Sequence, residues 1–142
     1  YYYYNNDYKK SLEYALKNKD LAEKENDMKL LAKSYNNLSA IYNHFGQYKS
    51  AIDCILKCLD ISEKTKDSLS FPIRNLTASN TYFNLKQFDQ SIIYAGKAIE
   101  FGKTFNNPFA IMMGLNNLSA SYSQLYMLDR STSISKRQLE FA

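Results

Sequence analysis

Residues 35–48 read YNNLSAIYNHFGQY, residues 75–88 read NLTASNTYFNLKQF, and residues 115–128 read LNNLSASYSQLYML. Laid over one another, these stretches align Tyr42 with Tyr82 and Tyr122, Ser39 with Ser79 and Ser119, and Tyr48 with Phe88 and Leu128, in steps of 40 residues. The same step reaches back to Tyr2 and Tyr8. It also joins Ser11, Ala51, Ser91 and Ser131, and joins Lys17, Lys57 and Lys97. A fixed period of this size marks a solenoid, in which each unit buries its apolar face only against its neighbours. Such a stack offers a long concave wall and no natural catalytic cleft, so the pattern predicts a binding module.

Working outward, one helix of each unit carries a stripe at steps of three and four. It runs Met28, Leu31, Tyr35, Leu38, Tyr42 and Phe45 in the first complete unit and Ile111, Leu115, Leu118, Tyr122 and Leu125 in the third. That spacing is one face of an α-helix. A second stripe, Tyr48, Ala51, Ile52, Ile55, Leu56 and Leu59, recurs as Phe88, Ser91, Ile92, Ala95 and Ile99. The small residues Ser39, Ser79 and Ser119, facing Ala51, Ser91 and Ser131, let the two helices of a unit approach closely. Asn107 before Pro108 reads as an N-cap and a first-turn proline, with Asp27 and Asp67 in the equivalent places. Gly46 breaks the chain within the first unit, and Lys86 and Tyr126 replace it later, where a left-handed residue is strained. Pro72 delays its helix to a start capped by Ser70. The predicted helices are 9–24, 28–45, 48–65, 70–85, 88–105, 108–126 and 129–141, with 1–6 as the stub of another. The predicted units are a partial repeat at 1–26, repeats at 27–66 and 67–106, and a partial final repeat at 107–142. The phase at both ends predicts a fragment of a longer protein.

Composition agrees with a single all-helical array. The chain has 142 residues, 45% of them hydrophobic, with 13 Tyr, no Trp, and only 4 Gly and 2 Pro. So few turn formers argue against sheet-rich folds, and no stretch is long and apolar enough to span a bilayer. The net charge of +4 comes from basic residues mixed with acidic ones, as at Glu23, Lys24, Glu25 and Asp27. A nucleic-acid surface needs a clustered basic stripe, so direct nucleic-acid binding is not expected. Cys54 and Cys58 share a helical face, where a disulfide has poor geometry and reduced thiols are expected. This fits the cytoplasm and is compatible with the periplasm. His44 is the lone histidine, with no carboxylate or nucleophile at helical spacing from it, and reads as groove-lining or exposed. Asp53, Asp60 and Glu63 read as a solvated outer face. With no phosphate loop, metal motif or nucleophile elbow, the chain is expected to be a non-enzyme without cofactor or metal.

The string Tyr35, Leu38, Ser39, Tyr42, then Gly46, Tyr48, Ala51, Ile55 and Cys58, resembles the tetratricopeptide repeat, W-x2-L-G-x2-Y followed by small and aromatic positions. Asn75, Ala78, Ser79, Tyr82, Phe88, Ser91, Ala95 and Ala98 repeat it, as do Leu115, Leu118, Ser119, Tyr122, Leu128, Ser131 and Ser135. Serine stands where the family has its first-helix glycine, and the period is 40 where about 34 is common. The resemblance implies a right-handed α-solenoid of antiparallel helix pairs, about seven helices here, that binds a peptide or protein. Repeats this long look like those of bacterial signalling proteins, namely peptide-sensing transcription regulators and sensor kinases. A static assembly scaffold is the alternative.

In this family the first helices line the concave face. Opposite the packed stripe lie Lys33, Asn36, Asn37, Ala40, Asn43 and His44, then Ile73, Leu76, Thr77, Asn80, Phe83 and Asn84, then Met113, Asn116, Asn117, Ala120, Ser123 and Gln124. The amides of Asn37, Asn80, Asn84 and Asn117 are expected to hold a peptide backbone, since Asn both donates and accepts. Ile73, Leu76, Phe83 and Met113 add apolar spots. Ile73 and Leu76 where Lys33 and Asn36 stand one period earlier speak against a carboxylate clamp. Ile134 and Leu139 on an uncapped last helix predict either a further helix supplied by the native chain or, for the isolated fragment, a homodimer through the C-terminal end or a marginal C-terminal helix.

Overall fold

The computed structural model describes the backbone of residues 2–140 and the side chains of residues 7–132. It contains six α-helices: α1 (Tyr2–Lys24), α2 (Met28–His44), α3 (Tyr48–Lys64), α4 (Phe71–Asn84), α5 (Phe88–Thr104) and α6 (Pro108–Glu140). A 3-10 turn, Ser68–Ser70, leads into α4, and there is no strand among the described residues. Each helix packs mainly on the next, and α4 also meets α6. This is a helical solenoid. No helix among the described residues is long and apolar enough to cross a membrane.

The connections have one design. Asn26 (φ 54°), Gly46 (φ 77°), Lys66 (φ 57°), Lys86 (φ 61°) and Asn106 (φ 54°) are left-handed, every twenty residues. The next residue's N–H reaches back five positions, from Asp27 to the Ala22 carbonyl (3.0 Å), Gln47 to Tyr42 (2.8 Å), Asp67 to Ser62 (2.9 Å), Gln87 to Tyr82 (2.9 Å) and Asn107 to Gly102 (2.8 Å). These are Schellman closures, which satisfy the last carbonyls of each helix. Asp27 accepts from the Leu30 N–H and Asn107 from the Ala110 N–H, both at 3.1 Å, as N-caps. Asp67 does not cap. It accepts from the Ser70 hydroxyl and pairs with Arg74 at 3.4 Å. Arg74 also donates to the Ser62 hydroxyl. Ser70 occupies the cap position of α4 without a capping bond, and Pro72 sits in the first turn.

Two expected reversals are absent, so there are six long helices where about seven were expected. The predicted helices 108–126 and 129–141 are one helix, α6. The left-handed site there falls on Tyr126, at a cost of about 1–2 kcal/mol. Lys86 bears the same cost, but α5 then returns to bury Phe88, Ser91, Ala95 and Ala98. The stretch after Tyr126 has Ser135 in the register of Ile55 and Ala95, a weaker reward for turning back. At the other end, the described part of the expected stub, from Tyr2, is continuous with α1. Six residues make less than two helical turns, too few to offset a reversal.

The central core is Ala32, Ile52, Ile55, Cys58, Ile61 and Ala78, with Tyr35 and Tyr82 packed against it. Tyr42 and Tyr82 are half-buried, and Tyr82 stacks on Tyr94 at 5.4 Å between centroids. Tyr2 lies outside the described side chains. Tyr122 is 57% exposed and Leu115 51% exposed, contrary to the expected packed stripe, because α6 runs on past Tyr126 and no helix among the described residues packs over them. Ser119 is exposed for the same reason, and α6 buries Ala110, Gly114 and Ser121 instead. Met28 and Phe45, also expected in a packed stripe, lie at the surface.

At the completed crossings the small residues do more than make room. The Ser39 hydroxyl donates to the Ala51 carbonyl (2.9 Å), and Ser79 and Ser91 donate to each other's carbonyls (2.9 Å each). Ser121 donates to the Ser91 hydroxyl oxygen at 3.0 Å, which ties α6 into the same buried cluster. Ser91→Ala leaves the Ser121 hydroxyl without its acceptor, and urea unfolding is expected to show a loss of about 1–2 kcal/mol. The 40-residue lysines have a role too. Lys97 lies over the Tyr94 ring (4.8 Å), Lys57 over Tyr35 (5.5 Å) and Lys17 over Tyr14 (5.9 Å), so each stem covers an aromatic face. Cys54 and Cys58 are free thiols, and burial pushes both above the ordinary thiol range.

Candidate functional site

Helices α2, α4 and α6 are the first helices of their units, and the residues opposite their packed stripes form the candidate groove. Exposed on α2 are Lys33, Asn37, Ala40 and His44, while Asn36 and Asn43 are half-buried. On α4, Ile73, Asn80 and Asn84 are exposed and Thr77 and Phe83 half-buried. Leu76 is buried and supplies no groove contact. On α6, Asn116, Ser123 and Gln124 are exposed, with Met113, Asn117 and Ala120 half-buried. The described residues therefore offer amides on all three helices, with an apolar contact at Ile73.

The amides are not equivalent. Asn117 Nδ2 donates to Asn80 Oδ1 at 2.6 Å and to the Ser79 hydroxyl at 3.3 Å, bridging α6 to α4. Asn43 Oδ1 accepts from the Thr81 hydroxyl at 3.0 Å, bridging α4 to α2. Asn43 and Asn117 thus tie successive units together. The Asn80 Oδ1 is occupied, but its Nδ2 engages no acceptor among the described residues. Asn37 and Asn84 are the freer amides. Thr77 donates to the Ile73 carbonyl within its own helix (3.1 Å), and Phe83 meets Phe88 edge-on at 5.3 Å. His44 sits on the last turn of α2, with its ring edge-on to Phe45 at 4.9 Å.

Two clefts were not legible in the sequence. One, about 340 Å³, lies among α3, α4 and α5, floored by Leu59, Phe71, Tyr94 and Phe101 and rimmed by Asp60, Glu63 and Glu100. Asp53, Asp60 and Glu63 are exposed, as expected of a solvated face, and Asp60 and Glu63 also border this hollow, together with Asn75 and Lys97. The other, about 480 Å³, lies between α1 and α2 and is lined by Ser11, Tyr14, Asn18, Asn37, Ala40 and Ile41. No group of His, Cys, Asp and Glu able to hold a metal occurs among the described residues.

Comparison with known families matches the tetratricopeptide repeat to residues 32–65 and again to residues 75–101. The first match runs from the second turn of α2 through α3, and the second from α4 into α5. The chain contains tetratricopeptide repeats. No curated protein matches it. The matched segments are the two units in which both helices are present and the serine crossing bonds are formed. Tetratricopeptide repeats are protein-interaction modules, and this is the function class of the chain.

Proposed function

We propose that the face formed by α2, α4 and α6 binds an extended or helical peptide segment of a protein partner, without catalysis, as the regulatory arm of a bacterial signalling protein. The observation that carries the groove is the run of exposed amides at Asn37, Asn80, Asn84 and Asn116 beside exposed Ile73. The free edges of these amides suit a peptide backbone, and Ile73 suits an apolar side chain. The signalling context is supported by the 40-residue period alone. The bonds Asn43–Thr81 and Asn117–Asn80 favour a second reading, a rigid scaffold, because they fix adjacent units together.

The test is to pan a displayed library of random linear peptides against the 142-residue chain and measure the enriched binders by calorimetry. Asn80→Ala with Asn84→Ala is expected to weaken them by more than about 1 kcal/mol, roughly fivefold. Binders indifferent to both substitutions would remove this face from the site.

A further inference from the structure

The cleft among α3, α4 and α5 shares no residue with the peptide groove. Its volume of about 340 Å³ falls at the lower end of the range for ligand sites, about 300–1,000 Å³. Leu56, Leu59, Phe71 and Phe101 are half-buried there, and the Phe71 and Phe101 rings meet at 5.0 Å between centroids. Two features make it more than a packing gap. The first is Asn75, which is 4% exposed. Its Nδ2 donates to the Phe71 carbonyl (2.8 Å), and its Oδ1 accepts from no described residue. Every fully buried polar side-chain atom among the described residues has a partner. The Oδ1 therefore keeps contact with open space, and the space that Asn75 borders is this cleft. An occupant that brings a donor gives this carbonyl the bond it lacks. The second feature is charge. Asp60 pairs with Lys64 at 3.1 Å, and Lys97 sets its ammonium over the Tyr94 ring at 4.8 Å. Glu63 and Glu100, both exposed on the rim, take part in no ion pair among the described residues. Burial, and after it Tyr82 and Glu63, pushes the Tyr94 hydroxyl above its ordinary range, so the Glu63 charge is felt at the floor.

We propose that this cleft takes an arginine side chain, with an apolar neighbour, from an extended segment of a protein partner. A guanidinium is planar, stacks on aromatic faces, carries five donors in a fixed fork and is more weakly hydrated than an ammonium. Tyr94 is already stacked on Tyr82 and covered by Lys97, but no cation lies over Phe71 or Phe101 among the described residues. Those two rings supply the face for the guanidinium. Its N–H groups reach the Asn75 carbonyl, and its charge answers Glu63 and Glu100. Alternate residues of an extended segment point the same way, so an apolar residue two positions from the arginine lies against Leu56 and Leu59. The acidic rim repels phosphate, which speaks against a nucleic acid or an anionic headgroup in this place. The inference does not rest on the peptide groove, which lies on other residues.

The test is an NMR titration of the isotope-labelled 142-residue chain with the peptide acetyl-Phe-Ala-Arg-Ala-amide, and with the same peptide carrying lysine for arginine. The arginine peptide is expected to move the amide signals of the lining residues of α3, α4 and α5, with a Kd of about 1 mM or tighter. The lysine peptide should bind about fivefold more weakly. Glu63→Gln with Glu100→Gln alters only exposed side chains and should weaken the arginine peptide about three- to tenfold. Asn75→Ala should weaken it about fivefold, with circular dichroism to check folding. If that variant unfolds, the glutamine pair decides. Asn80→Ala with Asn84→Ala, in the peptide groove, should leave this binding unchanged. No movement of the lining signals at about 10 mM peptide overturns the site. Equal binding of the lysine peptide, or indifference to the glutamine pair, overturns the arginine assignment. Loss of binding in the groove variant places the probe in the groove and overturns this site while leaving the groove standing.

Discussion

Ile55→Ala is expected to lower the stability of the chain by about 3–4 kcal/mol, read as a fall in the urea midpoint at an unchanged slope. Ile55 has no exposure and sits in the buried hydrophobic cluster with Ala32, Ile52, Cys58, Ile61 and Ala78. The substitution removes three carbon atoms from a site lined by helices that are held apart elsewhere, so the walls cannot close on the gap. Ala32 comes from α2, Ile52 and Cys58 from α3, and Ala78 from α4, so one cavity loosens both the α2–α3 crossing within a unit and the interface of that unit with the next. In a stack where each unit depends on its neighbours, that loss propagates to both. A native domain holds only about 5–15 kcal/mol in total, so the variant is expected to be partly unfolded at 37 °C. A loss below about 1 kcal/mol would mean that the cluster is not the stabilising centre.

The second large effect is expected at the α5–α6 crossing, where Gly114→Leu should cost about 3 kcal/mol. A Cβ at position 114 would stand 2.8 Å from Ile99 Cγ1 and 3.2 Å from the Ala95 carbonyl oxygen. The first neighbour is the inner part of a β-branched side chain, and the second is backbone inside α5, so neither has room to give. Leu also has a better helix propensity than Gly by nearly 1 kcal/mol, which makes the observed loss smaller than the packing strain. Gly96→Ala is the control. Position 96 is exposed in the middle of α5 with open space around its Cβ direction, and this change should stabilise by about 0.5–1 kcal/mol. If both substitutions stabilised, the close approach of α5 and α6 would be refuted.

The repeat made most of the helices legible, with boundaries within a residue or two for α2, α3, α4 and α5, because burial and turns recur together every 40 positions. The serines were legible as small residues at a crossing. Their hydrogen bonds were not, because a hydroxyl's partner lies on another helix and depends on its angle of approach. The series Ala22, Ser62 and Gly102, all buried and one period apart, went unread, and its members Ser62 and Gly102 meet Arg74 and Ile111 of the next unit. Its signal was present as three small residues at a 40-residue step. The left-handed residues Asn26, Lys66 and Asn106 were also unread, since two asparagines and a lysine give a weaker turn signal than Gly46 does.

For the groove, the periodic pattern places Asn37, Asn80, Asn84 and Asn116 at the surface of the first helices, and the structure leaves them exposed. It could not say which amides are already engaged. Asn43 and Asn117 resemble their neighbours in type and spacing, yet each is bonded to a residue 37 or 38 positions away.

By itself, the order of residues determined an all-helical stack with a 40-residue unit and small-residue crossings, because helix faces and turn sites depend on positions near one another in the chain. Only the tertiary structure decided which amides remain free and where α6 runs on past Tyr126. Those outcomes depend on whether a neighbouring helix is present to reward a turn or occupy a donor, and spacing along the chain does not encode it.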